Sequence, residues 1–157
     1  MGNFKVNFKL DVSMSLLSKQ EIKELYSDGR AISPMLEKII PKIFNLTRAD
    51  GNGYDYTIED SDKRVELKMI TKNGTKSSPS FMQGKSRKYD YEKHKDTVNS
   101  NYAYLFIDIT NFPKLRIYVI KSCDDLIFKE KAYSTSIKLL NSLCKKYVRF
   151  DSRIVIY

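Results

Sequence analysis

The chain has no tryptophan, one histidine, two cysteines and only six glycines in 157 residues. Each shortage excludes a class of chemistry. Cys123 and Cys144 lack metal-ligand spacing and fall in helical patterns, which reads as buried reduced thiols and rules out a disulfide scaffold or a zinc site. His94 lies among charges in a predicted helix, with no glycine-rich or cysteine context, so it reads as a surface residue and not as a general base. No glycine loop suited to cradling phosphate is present, and no glycine-flanked serine suggests serine hydrolase chemistry. Asp50-Gly-Asn52 begins like a calcium loop, but no glutamate follows at the twelfth position. No apolar run approaches the ~18 residues of a membrane span, and no signal peptide opens the chain. A single cytoplasmic domain over 1–157 is expected, with no membrane and no evident protein partner.

What is abundant is positive charge. Twenty-eight Lys and Arg against nineteen Asp and Glu give +9, which points to an anionic partner, above all nucleic acid. Along the chain, Phe4 to Val12 alternates as a half-buried strand at a sheet edge or subunit contact. Ser18-Lys-Gln-Glu21 is a capping box, and Asp28-Gly29 reads as the end of its helix. Ser33-Pro34 reads as the start of a second helix, striped by Met35, Leu36, Ile39, Ile40, Ile43 and Phe44, with a kink at Pro41. A helix is predicted over 86–98 and two buried strands over 102–110 and 114–121. A short helix after Ser122, a last helix around Ile137 to Cys144, and one or two strands from Val148 complete the pattern. The sum is an α/β (α+β) chain: a mixed five- to six-stranded sheet flanked by helices.

The informative stretch is Tyr54 to Ile70, which reads as a hairpin turning at Ser61-Asp62. That centre opposes Asp55 to Lys68 and Thr57 to Glu66, with all four side chains on one face. Tyr54, Tyr56, Ile58, Val65, Leu67 and Met69 take the other, core-facing side. Two carboxylates and a lysine gathered on one face suit a divalent cation engaged in phosphodiester hydrolysis. Mg²⁺ prefers one or two carboxylates and keeps its other positions for water and phosphate. Asp55 and Glu66 are the candidate ligands, with the Leu67 backbone oxygen as a third. Lys68 is placed to orient or deprotonate water, or to stabilise charge on the phosphate. Of two acid-x-Lys triplets, only this one sits in a strand with a second acid opposed across a turn; Glu21-Ile-Lys23 lies on a helix.

Asp55 with Glu66-Leu67-Lys68, the preceding helix and the helix that follows resemble the PD-(D/E)xK nuclease superfamily, and within it the small homodimeric type II restriction endonucleases. Tyr54 replaces the eponymous proline. The resemblance implies a restriction-endonuclease-like core and a homodimer in a prokaryotic cytoplasm. It implies Mg²⁺ (Mn²⁺ substituting) on Asp55 and Glu66, with Glu37 from the preceding helix as a further candidate ligand. It also implies cleavage of double-stranded DNA at a short specific sequence, leaving 5′-phosphate and 3′-hydroxyl ends. Two alternatives are a structure-selective nuclease for junctions or repair, and a basic DNA-binding protein without activity. Beyond the hairpin, Lys72, Asn73, Lys76, Ser77, Ser78, Gln83, Lys85, Arg87 and Lys88 have the residue types that contact phosphates and base edges.

Overall fold

The computed structural model describes residues 3–12, 16–49, 54–76, 78–79, 82–83, 85–123, 126, 134–135, 137–144, 146–149 and 154–156. Strand β1 (Phe4–Val12) opens the chain, followed by α1 (Lys19–Leu25) and α2 (Gly29–Phe44). Three strands then run back and forth: β2 (Leu46–Arg48), β3 (Tyr56–Ile58) and β4 (Arg64–Ile70). After β5 (Thr75–Lys76) come α3 (Tyr91–Ser100), β6 (Ala103–Asp108) and β7 (Lys114–Lys121). The last elements are β8 (Ser134–Thr135), α4 (Ile137–Leu143), β9 (Lys146–Arg149) and β10 (Ile154–Ile156).

The mixed sheet has eight strands, not five or six, in the order β10-β1-β7-β6-β4-β3-β2 with β9 also on β1. The surplus comes from β2, where the sequence suggests no strand, and from the last stretch forming two strands: β9 and β10 both pair parallel to β1, on its first and last residues respectively. β1 is therefore an interior strand, paired antiparallel to β7 on its other side. Every residue of β6 is buried, as its continuous apolar run predicts for a central strand. It pairs antiparallel with β7 and parallel with β4, the latter link made through α3.

Two cores result, one on each face. On the first, α2 lays Ile32, Leu36 and Ile40 against Tyr56, Val65, Leu105 and Ile107. On the second, Ile70, Tyr104, Phe106, Tyr118 and Ile120 meet Val98 of α3 and Leu140 of α4. α1 has the expected reciprocal cap, with Glu21 N–H donating to Ser18 Oγ and Ser18 N–H to Glu21 Oε2. Ser33-Pro34 does not start α2. Asp28 caps it instead, accepting from the Arg30 N–H, and Gly29 is its first residue. The crowding explains the glycine: a Cβ there would come within 3.0 Å of Thr71 Cγ2 at the end of β4. α3 begins at Tyr91, not 86, because Asp90 supplies its cap by accepting from Lys93 N–H.

Three smaller expectations are also corrected. His94 is fully buried, since α3 turns it inward with Val98, and its Nδ1 lies 2.9 Å from Tyr89 Oη. Tyr54 does not join the core; its ring takes the Arg64 guanidinium at 4.8 Å. Cys123 lies past the end of β7 and is half-buried, whereas Cys144 is buried, its thiol pushed up to about 11 by burial. The loop 50–53 and most of the helix expected after Ser122 lie outside the described residues. Among the described residues no helix is long and apolar enough to cross a membrane.

Candidate active site

The site is built where the β3–β4 hairpin ladder ends. The hairpin turns one residue earlier than the sequence suggests: Ser61 N–H donates to the Ile58 carbonyl, and Asp60 takes the left-handed conformation at φ 59°. Asp tolerates that region better than most residues, which selects this turn over its neighbour. The pairing becomes Tyr56 with Val65 and Thr57 with Arg64. Lys68 is thus not opposed to Asp55; continuing the register one step opposes Asp55 to Glu66. Each strand residue has slipped by two places, and because side chains alternate with period two, the faces are unchanged. Asp55, Glu66 and Lys68 still share one side.

The next ladder bond in the series would join Leu67 N–H to residue 54. Instead Leu67 N–H donates to Asp55 Oδ2 at 2.8 Å, so the carboxylate replaces a backbone acceptor where β3 peels away. This fixes Asp55 beside Glu66, close enough for each carboxyl to act on the other's titration. Lys68 Nζ lies 2.5 Å from Glu66 Oε1, and these two side chains are only 12% and 11% exposed. Asp55, by contrast, is exposed, which makes it the accessible member of the group.

The electrostatics are those of crowded acids. Although Asp55 is exposed as a residue, desolvation of its carboxyl among these neighbours raises its pKa most; the Leu67 N–H and the Lys68 charge oppose the rise, and the Glu37 charge adds to it. Burial also leads for Glu66, with Lys68 pulling its pKa down and Asp55 pushing it up. Both carboxyls therefore titrate above the ordinary carboxylate range. Tyr104, paired with Glu66 on β6, is raised beyond the usual phenol range, chiefly by burial, and accepts a bond from Asn101 Nδ2.

Glu37 stands near this group, held by other partners. Its Oε1 accepts from Ser33 Oγ at 2.9 Å, and its Oε2 is 3.5 Å from Arg48 Nη2. Its backbone carbonyl, which Pro41 cannot engage for want of an N–H, accepts from Tyr56 Oη at 3.1 Å. That bond pins α2 to β3. Among the described residues no group of three or more acid, histidine or cysteine side chains is gathered as a ready metal cage, although the Glu37 charge is near enough to act on Asp55. Ser33 lies one turn before Glu37 on α2 itself, whereas Arg48 comes from β2 and reaches Glu37 only because β2 packs beside α2, which the sequence does not reveal.

Of the predicted phosphate and base contacts, Lys72, Asn73, Lys85, Arg87 and Lys88 are exposed. Lys72 and Asn73 form a tight turn closed by Thr71 and Gly74, whose φ of 82° suits glycine. Ser78 is 1% exposed and cannot reach a base. Gln83 is half-buried and donates its side-chain N–H to the Ser78 carbonyl at 2.6 Å, holding the loop together. Lys76 lies on β5, and Ser77 is outside the described residues. The chain matches no family model, no curated protein and no solved structure.

Proposed function

We propose that this chain is a divalent-metal-dependent endonuclease of the PD-(D/E)xK type that cuts double-stranded DNA, acting as a homodimer at a short specific sequence. One observation carries the reading: Asp55 and Glu66 stand side by side on one sheet face, the first held by the Leu67 N–H and the second by the Lys68 ammonium. Like charges held this close at a desolvated edge call for a cation, and two carboxylates with open positions suit Mg²⁺ or Mn²⁺. The order α2, β2-β3-β4, α3, then β6 parallel to β4, agrees with the restriction-endonuclease-like core that the resemblance implies.

Asp55 and Glu66 would hold the metal, with the Leu67 carbonyl as a further oxygen. A bound Mg²⁺ supplies charge neutralisation at the phosphate and a lowered pKa for water. Asp55, the exposed member, faces the incoming phosphodiester. Lys68 favours the ionised form of Glu66 and presents an ammonium group on the same face, able to orient the attacking water or offset charge on the phosphate. Lys85, Arg87 and Lys88 contribute positive charge for the DNA backbone.

The test is incubation of plasmid DNA with Mg²⁺ and either wild type or Asp55→Ala. Discrete fragments from wild type, and a loss of about 10³-fold or more in the variant, are expected. A smear or junction-only cutting would favour a structure-selective enzyme. No metal-dependent cutting at all would sink the nuclease reading.

A further inference from the structure

The strand registers place a second charged group on the sheet face that carries Glu66 and Lys68. Residues opposite one another in paired strands share a face, so the pairings read as successive rows. Glu66 stands with Tyr104 and Ile120, and Lys68 with Phe106, Tyr118 and Lys5. Ile70 follows with Asp108, Arg116 and Asn7, and beyond them Lys114 stands with Lys9. The middle of this face is closed by the second core. Past its edge, an open cleft of about 900 Å³ is lined by Lys9, Lys114, Arg116, Asn7 and Asp108, and by Lys23 from α1. Four basic side chains thus meet one acid. Moreover, Asp108 Oδ1 already accepts from the Thr110 N–H and hydroxyl, at 3.0 and 2.6 Å. Arg116 is braced by its Nε donating to Asn7 Oδ1 at 2.9 Å, and Lys9, Lys23 and Lys114 are exposed.

We infer that this cleft is a phosphate-binding subsite for duplex DNA, gripping the backbone away from the bond that is cut. The inference rests on the proposed nuclease reading for its choice of polymer. From the Glu66 row to the Arg116 row is four residues along the strands and two strands across, roughly 13 Å by 10 Å, hence about 16 Å. At 3.4 Å per base pair that is about five base pairs, less than one turn of the duplex. From Asp55, one strand further out, the span is about 19 Å, or about six base pairs, so a duplex lying over the second core has phosphates spaced to meet both ends of this face, which a small ligand cannot do.

The experiment is equilibrium binding of a labelled duplex in metal-free buffer across a salt series, with wild type, the double variant Lys9→Gln/Lys114→Gln and the charge-keeping Lys114→Arg. Melting temperatures show whether each variant keeps the fold. The double variant is expected to bind roughly tenfold more weakly and to reduce the salt slope by about 1.8, since each phosphate contact contributes about 0.9. Lys114→Arg should bind like wild type. A double variant with unchanged affinity and slope, beside a wild type that binds and cuts, overturns the cleft and leaves the nuclease standing; a cleft serving free phosphate alone would give that result. A cleft-dependent slope without metal-dependent cutting supports the cleft and overturns the nuclease. A wild type that neither binds nor cuts overturns both.

Discussion

Two ends of one sheet face handle charge in opposite ways. At the hairpin end, Asp55, Glu66 and Lys68 are crowded, two of them buried, and both acids are held above their ordinary pKa. At the far end, Lys9, Lys114 and Arg116 line an open cleft. Crowding charges out of water is costly unless a partner of opposite sign is kept in place. Spreading them in water costs little and gives mainly long-range attraction. The first arrangement is what site chemistry needs, and the second suits gathering a polyanion.

The largest effect expected from breaking this contrast is at Lys68. Lys68→Ala leaves Glu66 buried without its ammonium, which costs about 3 kcal/mol for a severed buried pair. For a domain of this size that is a fall of roughly 6–12 °C in melting temperature. The double variant Lys68→Met/Glu66→Gln should recover most of the loss, because no buried charge is then orphaned, and should remain inactive. Thermal melts of both proteins check this; a Lys68→Ala protein as stable as wild type would mean the pair carries no weight. Removing an exposed cation of the cleft, such as Lys114, should leave the melt within about 0.5 kcal/mol of wild type.

A smaller effect, of opposite sign, is expected at Asp55. Its folded pKa is raised above the ordinary 3.8, chiefly by burial. A carboxyl of that kind contributes its stability below the unfolded pKa and loses it as pH rises through the folded value. At neutral pH, metal-free wild type therefore carries the cost of a partly desolvated charge, with some repulsion from Glu37, that Asp55→Asn removes, while the amide oxygen still accepts from Leu67 N–H. Because Asp55 is exposed, water screens much of that repulsion, and the gain should stay below about 1 kcal/mol. The variant should melt about 1–3 °C above wild type at neutral pH, with the gap closing below about pH 4. Added Mg²⁺ should raise the wild-type melt alone, by mass action on the folded state. A variant less stable than wild type at neutral pH would argue that Asp55 serves as a hydrogen-bond acceptor more than as a crowded charge.

The site was legible in the sequence for a reason that also explains what was missed. Side-chain alternation fixes which residues share a face, so Asp55, Glu66 and Lys68 were grouped correctly although the turn was misplaced. Partners across the ladder depend on the turn itself, and the left-handed Asp60 leaves no signal in the alternation. Likewise α2's apolar stripe was readable, but its start was not: Ser33-Pro34 is a cap-like pair inside a helix that Asp28 already caps. His94 looked exposed because charges flank it, yet Tyr89 gives it a buried polar contact that only the folded loop provides. The basic cleft was hidden for want of strand pairing. Lys5, Asn7 and Lys9 alternate on β1 and Lys114 and Arg116 on β7, so each half was visible, while the register that joins them belongs to tertiary structure.

The smallest expected effects lie in the loop between the hairpin and α3, where exposure separates residues that look alike in sequence. Lys85 and Arg87 are exposed, whereas Ser78, chosen with them for its hydrogen-bonding type, is buried. Lys85→Ala and Arg87→Ala should each reduce the salt slope of duplex binding by about 0.9 if each side chain meets one phosphate. Ser78→Ala should leave the slope and affinity unchanged. Its hydroxyl is buried and has no hydrogen-bond partner among the described residues, so its loss should be close to neutral for stability as well. Salt-dependent binding of the three single variants distinguishes these outcomes. A slope altered by Ser78→Ala with Lys85→Ala silent would mean that the loop reorganises on DNA, and that its exposed cations do not mark the surface the duplex meets.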